Sequence, residues 1–219
     1  MPTSDLQVER ASKLDTSTIS DALDRLGIAS QCLNIKPRDP RFRLTGRAFT
    51  LLYGPVGKPA GTVGDFIDDV PPGSVIVIDN GGRENATVWG DILTEIAHRR
   101  GIAGTVIDGA CRDTALCLQL SYPVYSRSYS MRTGKDRVQL DATNIVVNIG
   151  DARVAPGDIL RGDADGVVVI PKEHEAEVLA ASEEIDAAEA AIRQSVRGGK
   201  RLSEARKEYG YHKLQTKRT

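Results

Sequence analysis

GDILTEIAHRRGIAGTVIDGACRD, residues 90–113, decides the fold. Its first half predicts a helix, with Ile92, Ile96 and Ala97 apolar and with His98, Arg99 and Arg100 crowding the C-terminal end, where cations suit the helix dipole. A turn follows, and GTVIDGA then reads as a buried strand. Upstream, SVIVIDNGG (74–82) predicts another buried strand, ending at its glycine pair. Strand–helix–strand of this kind pairs its strands in parallel and brings their C-terminal ends to one edge, where α/β sheets bind ligands. Twenty residues separate Asp91 from Arg112, the length needed to go down a helix and back up a strand.

Working outward, DTSTISDALDRLG (15–27) is a helix signal, with Asp15 or Thr16 as cap and Gly27 as stop. RFRLTGRAFTLLYG (41–54) has strand character, with a glycine as a candidate bulge. VGDFIDDV predicts a short helix, stopped by Pro71-Pro72-Gly73. DTALCLQL predicts a helix and YPVYS a short strand. Residues 144–171 predict strand, turn, strand, turn, strand, with turns at Pro156-Gly157-Asp158 and Gly162-Asp163. A long Ala/Glu-rich helix is expected from about Lys172 to Arg197, then an arm over 198–219. The sum is one α/β domain over 1–219, part parallel sheet and part antiparallel layer.

Composition narrows the function classes. The chain has 219 residues, 40% hydrophobic and 27% charged, with a formal net charge of -1. No basic excess marks a nucleic-acid-binding face. No apolar run reaches membrane-spanning length, and MPTSDLQVERASKLD lacks the apolar core of a signal peptide. Cys32, Cys111 and Cys117 form no CxxC or zinc spacing and read as buried thiols of a reducing cytoplasm. A cytoplasmic protein is the expectation.

The charged ends of residues 90–113 carry the chemistry. Gly90 lets a ligand approach the backbone, and Asp91 and Ile92 open a helix whose first N–H groups have no internal partner. Such a terminus suits a carboxylate or phosphate. Arg112 can grip a carboxylate with two parallel hydrogen bonds, and Asp113 is a hard oxygen ligand suited to Mg²⁺ or Mn²⁺. Together they suit a 2-oxo acid, whose carboxylate and keto oxygen can chelate one ion. On spacing alone, Gly-Asp as a helix cap and Arg112–Asp113 as a loop ion pair is the alternative reading.

Gly90-Asp91, twenty residues and Arg112-Asp113, set in GTVIDGACRD, resemble the signature of RraA-like proteins, among them class II 4-hydroxy-4-methyl-2-oxoglutarate/4-carboxy-4-hydroxy-2-oxoadipate aldolases. DTSTISDAL, SVIVIDNGG and APGDILRGDADGVVVIP agree, so the resemblance covers roughly residues 10 to 197. One departure is Thr87, where the family often has a glycine. The resemblance implies a layered β/β/α fold of swivelling-domain type with C-terminal helices, as trimers or hexamers. It implies a metal-dependent lyase that releases pyruvate from a 4-hydroxy-2-oxo acid and also decarboxylates oxaloacetate. Asp113 would hold the metal. Arg112 would bind the substrate carboxylate and keto oxygen, and Gly90 with the amides of Ile92 and Leu93 the pyruvyl carboxylate. Asp91 would act in proton transfer. The resemblance also implies acidic residues from a neighbouring chain, for which Asp21 and Glu189 are the matching positions. Some relatives instead regulate ribonuclease E, so a non-catalytic regulator is the competing expectation.

Other features point elsewhere less well. GPVGKPAG (54–61) lacks the Gly-Lys-Ser/Thr of a phosphate loop and predicts a mobile loop near the site. No lysine sits at the end of a buried strand to form a Schiff base. His98, His174 and His212 show no ligand spacing. EYGYHKLQ (208–215) is expected to pack on a neighbouring subunit.

Overall fold

A computed structural model describes residues 5–214 and 216. Strands β1 (Lys36–Pro37), β2 (Leu44–Pro55), β3 (Val75–Thr87), β4 (Gly104–Cys111) and β5 (Val124–Tyr129) lie in one sheet with β6 (Val138–Thr143), β9 (Ile159–Gly162) and β10 (Val167–Ile170). The centre is parallel, with Val75 of β3 opposite Gly104 of β4 and Ile78 opposite Ile107. One long strand joins the parallel and antiparallel parts. The start of β2, Leu44–Arg47, runs antiparallel to β9, Ala48–Leu52 runs parallel to β3, and its end pairs antiparallel with β6.

Alternation along β3 builds two cores, because successive side chains of a strand face opposite ways. Ile76 and Ile78 join Ile107, Ala97 and Cys117 beneath helices α3 (Asp91–Arg99) and α4 (Thr114–Leu120). Val75 and Val77 join Val106, Val147, Ile149 and Val154 beneath the hairpin of β7 (Val147–Ile149) and β8 (Ala152–Val154). The layers are thus hairpin, sheet and helices. Each such isoleucine contributes about 1.5–3 kcal/mol by leaving water. A third cluster seats α1 (Leu6–Ser12), α2 (Thr16–Leu26) and α5 (Glu175–Arg197) on β9 and β10 through Ile19, Leu23, Ile159, Ile170 and Leu179.

Several local expectations are revised. β3 does not end at its glycines. Gly81 and Gly82 both take positive φ, 59° and 69°, and the chain bulges outward before rejoining β4 at Arg83 and Thr87. Only glycine adopts two such angles in a row without strain. The irregularity of β2 falls between Leu52 and Tyr53, just before Gly54, where its pairing with β6 shifts register; Gly46 instead serves close packing, since a Cβ there would stand 2.4 Å from the Gly73 carbonyl oxygen. Neither Asp15 nor Thr16 caps α2 with its own side chain. Asp163, in the β9–β10 turn, does so by accepting from Thr16 N–H (2.8 Å) and Thr16 Oγ1 (2.6 Å). Residues 144–171 hold four strands, because Gly150, with φ 59°, closes a further turn between β7 and β8.

After α5 comes α6 (Leu202–Glu208). The arm folds back on its own chain, where Leu214 and Tyr211 pack with Ala22, Ala181 and Ile185. Their apolar partners lie on α2 and α5 of the same chain. Gln215 of the arm, and residues 217–219, lie outside the described residues.

Candidate functional site

Val88, Trp89 and Gly90 connect β3 to α3, which Asp91 opens, and Arg112 and Asp113 connect β4 to α4. Because β3 and β4 are parallel neighbours, both connections emerge at one edge. The Arg112 N–H donates to the Trp89 carbonyl at 2.9 Å, and Val88 N–H to Ala110 at 3.3 Å. Asp113 takes positive φ, 55°, at the N-terminus of α4. Its Oδ2 accepts from the Asp91 N–H at 3.2 Å and faces Arg112 Nε at 3.3 Å.

Gly90 makes this approach possible by lacking a side chain. A Cβ there would meet Asp113 Oδ2 at 2.9 Å and Arg112 Nε at 3.1 Å. Its φ of -150° is ordinary extended backbone, so it is the space the missing side chain leaves, and not conformation, that matters here. Behind it, Thr94 Oγ1 donates to the Gly90 carbonyl at 2.8 Å and accepts from Trp89 Nε1 at 2.9 Å. Trp89 is buried and stacks on Tyr122, with centroids 6.1 Å apart. The loop is thus held by a buried, satisfied polar pair.

At the start of α3, Asp91 Oδ1 accepts from the Ile92 N–H at 2.8 Å, and Thr94 N–H donates to Gly90. Leu93 is the first-turn residue whose N–H has no hydrogen-bond partner among the described residues. A cleft of about 510 Å³ opens here, lined by Gly90, Asp91, Ile92, Leu93 and Arg112. Its other walls are Asp65 and Asp68, from the 3-10 turn Asp65–Asp69, and the segment Thr133–Lys135. That size is ordinary for a small-ligand site.

Asp113 does not line the cleft itself; it stands behind Gly90 and Arg112, half-exposed, with no hydrogen bond to its Oδ1 among the described residues. Nor do three His, Cys, Asp or Glu side chains gather into a metal cage among those residues. One open carboxylate fits a largely hydrated Mg²⁺, which takes only one or two protein carboxylates. Asp21, on α2, and Glu189, on α5, do not line the cleft of their own chain. Glu189 accepts from Arg193 Nη1 at 3.2 Å. The 54–61 loop is tied down by Gln139 Oε1, which accepts from Gly57 and Gly61 N–H. Cys111 and Cys117 are buried beside the site, and burial pushes both thiols up, away from the reactive thiolate.

Sequence reasoning missed other cleft residues, among them Asp65, Asp68, Thr87 and Lys135. Lys135 sits in the exposed RTGKDR segment, which has no periodicity to place it. Thr87 carried a signal, its departure from the glycine of the resemblance. Its Oγ1 donates to the Arg132 carbonyl at 2.8 Å. Among the described residues no helix is long and apolar enough to cross a membrane.

Comparison with known proteins agrees with this architecture. The model of the family described as RraA-like, Aldolase/RraA, matches residues 16–169. Protein DlpA of Legionella pneumophila is 38% identical over 200 residues, 90% of this chain but 32% of its own length. The chain therefore spans about a third of that relative. A Halalkalibacterium halodurans protein carrying the name "Putative 4-hydroxy-4-methyl-2-oxoglutarate aldolase" is 36% identical over 76% of this chain and 77% of its own. The crystal structure of Streptomyces coelicolor RraAS2, described as an unusual member of the RNase ES inhibitor RraA protein family, superposes with a TM-score of 0.82. It is 25% identical, over 88% of this chain and 98% of that one. With its model matched from the second helix to the last strand of the sheet, the chain belongs to the RraA-like family.

Proposed function

We propose that this protein is a lyase that cleaves a 4-hydroxy-2-oxo acid to pyruvate and a second carbonyl compound, with a divalent metal at Asp113. Oxaloacetate decarboxylation would follow from the same site. The observation that carries the reading is the convergence of Arg112, Asp113 and the α3 N-terminus on Gly90, whose missing side chain leaves room for both charged groups. The aldolase name of the Halalkalibacterium halodurans relative supports it.

In this reading the substrate carboxylate lies against the α3 N-terminus. Leu93 N–H is ready to donate, and Ile92 N–H exchanges Asp91 Oδ1 for the ligand. Arg112 holds the carboxylate and keto oxygen together. As the C3–C4 bond breaks, the 4-hydroxyl loses its proton and becomes the product carbonyl. The electron pair moves into the pyruvyl fragment, and the negative charge on its oxygen is met by the Arg112 guanidinium. Asp91 moves the proton through its carboxylate, from the hydroxyl and back to C3. Loss of CO₂ from oxaloacetate leaves the same pyruvyl charge, so Arg112 serves both reactions. A Mg²⁺ or Mn²⁺ on Asp113 would add Lewis acidity at the keto oxygen. The expected assembly is a homotrimer or hexamer, with Asp21 and Glu189 reaching a neighbour's cleft.

The test is pyruvate release from 4-hydroxy-4-methyl-2-oxoglutarate by wild type and Arg112→Ala. The account predicts release by wild type and a loss of at least about 10²-fold in the variant. Undiminished activity of Arg112→Ala removes the site assignment. The likeness to RraAS2 favours a second reading, a non-catalytic regulator that binds a ribonuclease. Recovery of a ribonuclease on the immobilised protein, with no lyase activity on any 2-oxo acid, would select it.

A further inference from the structure

One side of the cleft is apolar, and the proposed reaction uses none of its side chains. Leu93 and Ile96, one turn apart on α3, line it together with Val63 and Ile67, from the segment that enters and forms the 3-10 turn. Val88 and Trp89 line it as well. All six pack on one core, with Ile67, Val88 and Trp89 buried and Val63, Leu93 and Ile96 half-buried. None of these side chains has a hydrogen-bonding group to offer, since Trp89 Nε1 already donates to Thr94. The acids of this side are exposed: the Asp68 side chain keeps 83% of its surface in solvent and turns toward Arg100, at 3.7 Å, and Asp65 is exposed too. Lys135 is exposed and belongs to the other wall, formed by Thr133–Lys135.

The two apolar elements are tied to each other. Arg100, the residue that ends α3, donates from Nη2 to the Asp68 and Val70 carbonyls at 2.7 and 3.3 Å. Gly64 packs on α3, where a Cβ would stand 3.3 Å from Leu93 Cδ2. Tyr53, buried in the sheet, donates its hydroxyl to the Val63 carbonyl. The turn therefore cannot drift from the helix, and the passage between them keeps its width. The cleft, at about 510 Å³, holds far more than a pyruvyl group fills.

We propose that this apolar side of the cleft is the subsite for an alkyl or aryl substituent on C4 of the substrate, so that the second product is an apolar aldehyde or ketone. This rests on the reading of Arg112 and the α3 N-terminus as the 2-oxo-acid subsite. With that end held at Gly90 and Arg112, a chain that runs along α3 passes Leu93 and then Ile96. Each methylene buried there strengthens binding by about fourfold. A polar group in the same place loses its water and meets no donor or acceptor from these side chains. Cleavage is unchanged: the C3–C4 bond breaks, the hydroxyl proton passes to C3, and only the carbonyl product differs.

Titration calorimetry on the full chain, with Mg²⁺ present, compares pyruvate with 2-oxohexanoate. The two share the 2-oxo acid, and 2-oxohexanoate adds an alkyl chain. Wild type should bind 2-oxohexanoate about tenfold more tightly, with a more negative heat-capacity change. Ile96→Thr should narrow that ratio to about threefold, and Ile96→Leu should keep it. Val63→Phe, which fills the passage, should weaken 2-oxohexanoate while pyruvate binds as before. Pyruvate binding by each variant shows that its fold and its Arg112 subsite are intact. Equal affinities in wild type, or a ratio unchanged in both Ile96→Thr and Val63→Phe, overturn the apolar subsite but leave the Arg112 subsite standing. Failure of wild type to bind either acid overturns both.

Discussion

The Asp91 N–H lies 3.2 Å from Asp113 Oδ2, although the two residues are 22 positions apart. This contact closes the loop made by α3 and β4 and sets the positive end of one helix against a carboxylate and a guanidinium. It depends on Gly90, which leaves the gap through which Asp113 and Arg112 approach.

Gly90→Ala should therefore damage activity more than stability. The added methyl would push Asp113 and Arg112 outward, and a displacement of about 1 Å can cost on the order of 10² in rate. Both side chains are part-exposed and can yield, so unfolding free energy should change by less than about 1 kcal/mol. Steady-state kinetics on oxaloacetate and urea denaturation of the same sample check the two halves. A variant with wild-type rates would show that the close approach is not needed.

Arg112→Lys keeps the charge and loses the fork. A lysine is a point charge that cannot hold a carboxylate and a keto oxygen at once. A fall of about 10-fold to 10²-fold in kcat/KM is expected, smaller than that of Arg112→Ala. Equal loss in both variants would mean that charge alone contributes nothing at this position.

Behind the site, Thr94→Val should destabilise the fold by about 1–3 kcal/mol, because it leaves the buried Trp89 Nε1–H without an acceptor. Trp89 is the chain's only tryptophan, so its fluorescence reports on this environment directly. Urea denaturation of the variant with an unchanged midpoint would contradict the role given to Thr94.

Acid should weaken the cap on α2. Burial alone would raise the Asp163 carboxyl, but hydrogen bonds from Thr16 and from the Asp165 N–H outweigh it and hold the group below its ordinary value. A carboxyl depressed in the folded state stabilises fully above its unfolded pKa, about 3.9. That contribution is lost as the pH falls from there through the lower folded value. Asp163→Asn should cost about 1–3 kcal/mol near neutral pH. Below about pH 3.5 the gap from wild type should narrow. A gap independent of pH would show that the charge of Asp163 contributes nothing.

The parallel centre of the fold was legible in residues 74–113, because the periodicity of Ile92, Ile96 and Ala97 and two apolar runs reflect local physics. Their ends then had to share an edge, which placed Gly90, Asp91, Arg112 and Asp113 together. What escaped depends on contacts distant in sequence. The cap on α2 comes from Asp163, 147 positions away, so no local pattern could name it. β6 is a short, half-exposed strand that exists because the end of β2 pairs with it. Gly81 and Gly82 resemble a strand end, yet the bulge they make is what carries β3 on to Trp89. Lys135 enters the cleft only because Thr87 and Gly134 bind its segment to that extended strand.

The central claim is that Asp113 holds a divalent ion that the lyase needs. Its most direct test is pyruvate release from oxaloacetate, above the spontaneous rate, by metal-stripped protein with EDTA and again after excess Mg²⁺. The account predicts that wild type is silent in EDTA and recovers with Mg²⁺, while Asp113→Asn stays silent in both. Equal wild-type rates with EDTA and with Mg²⁺ would contradict it.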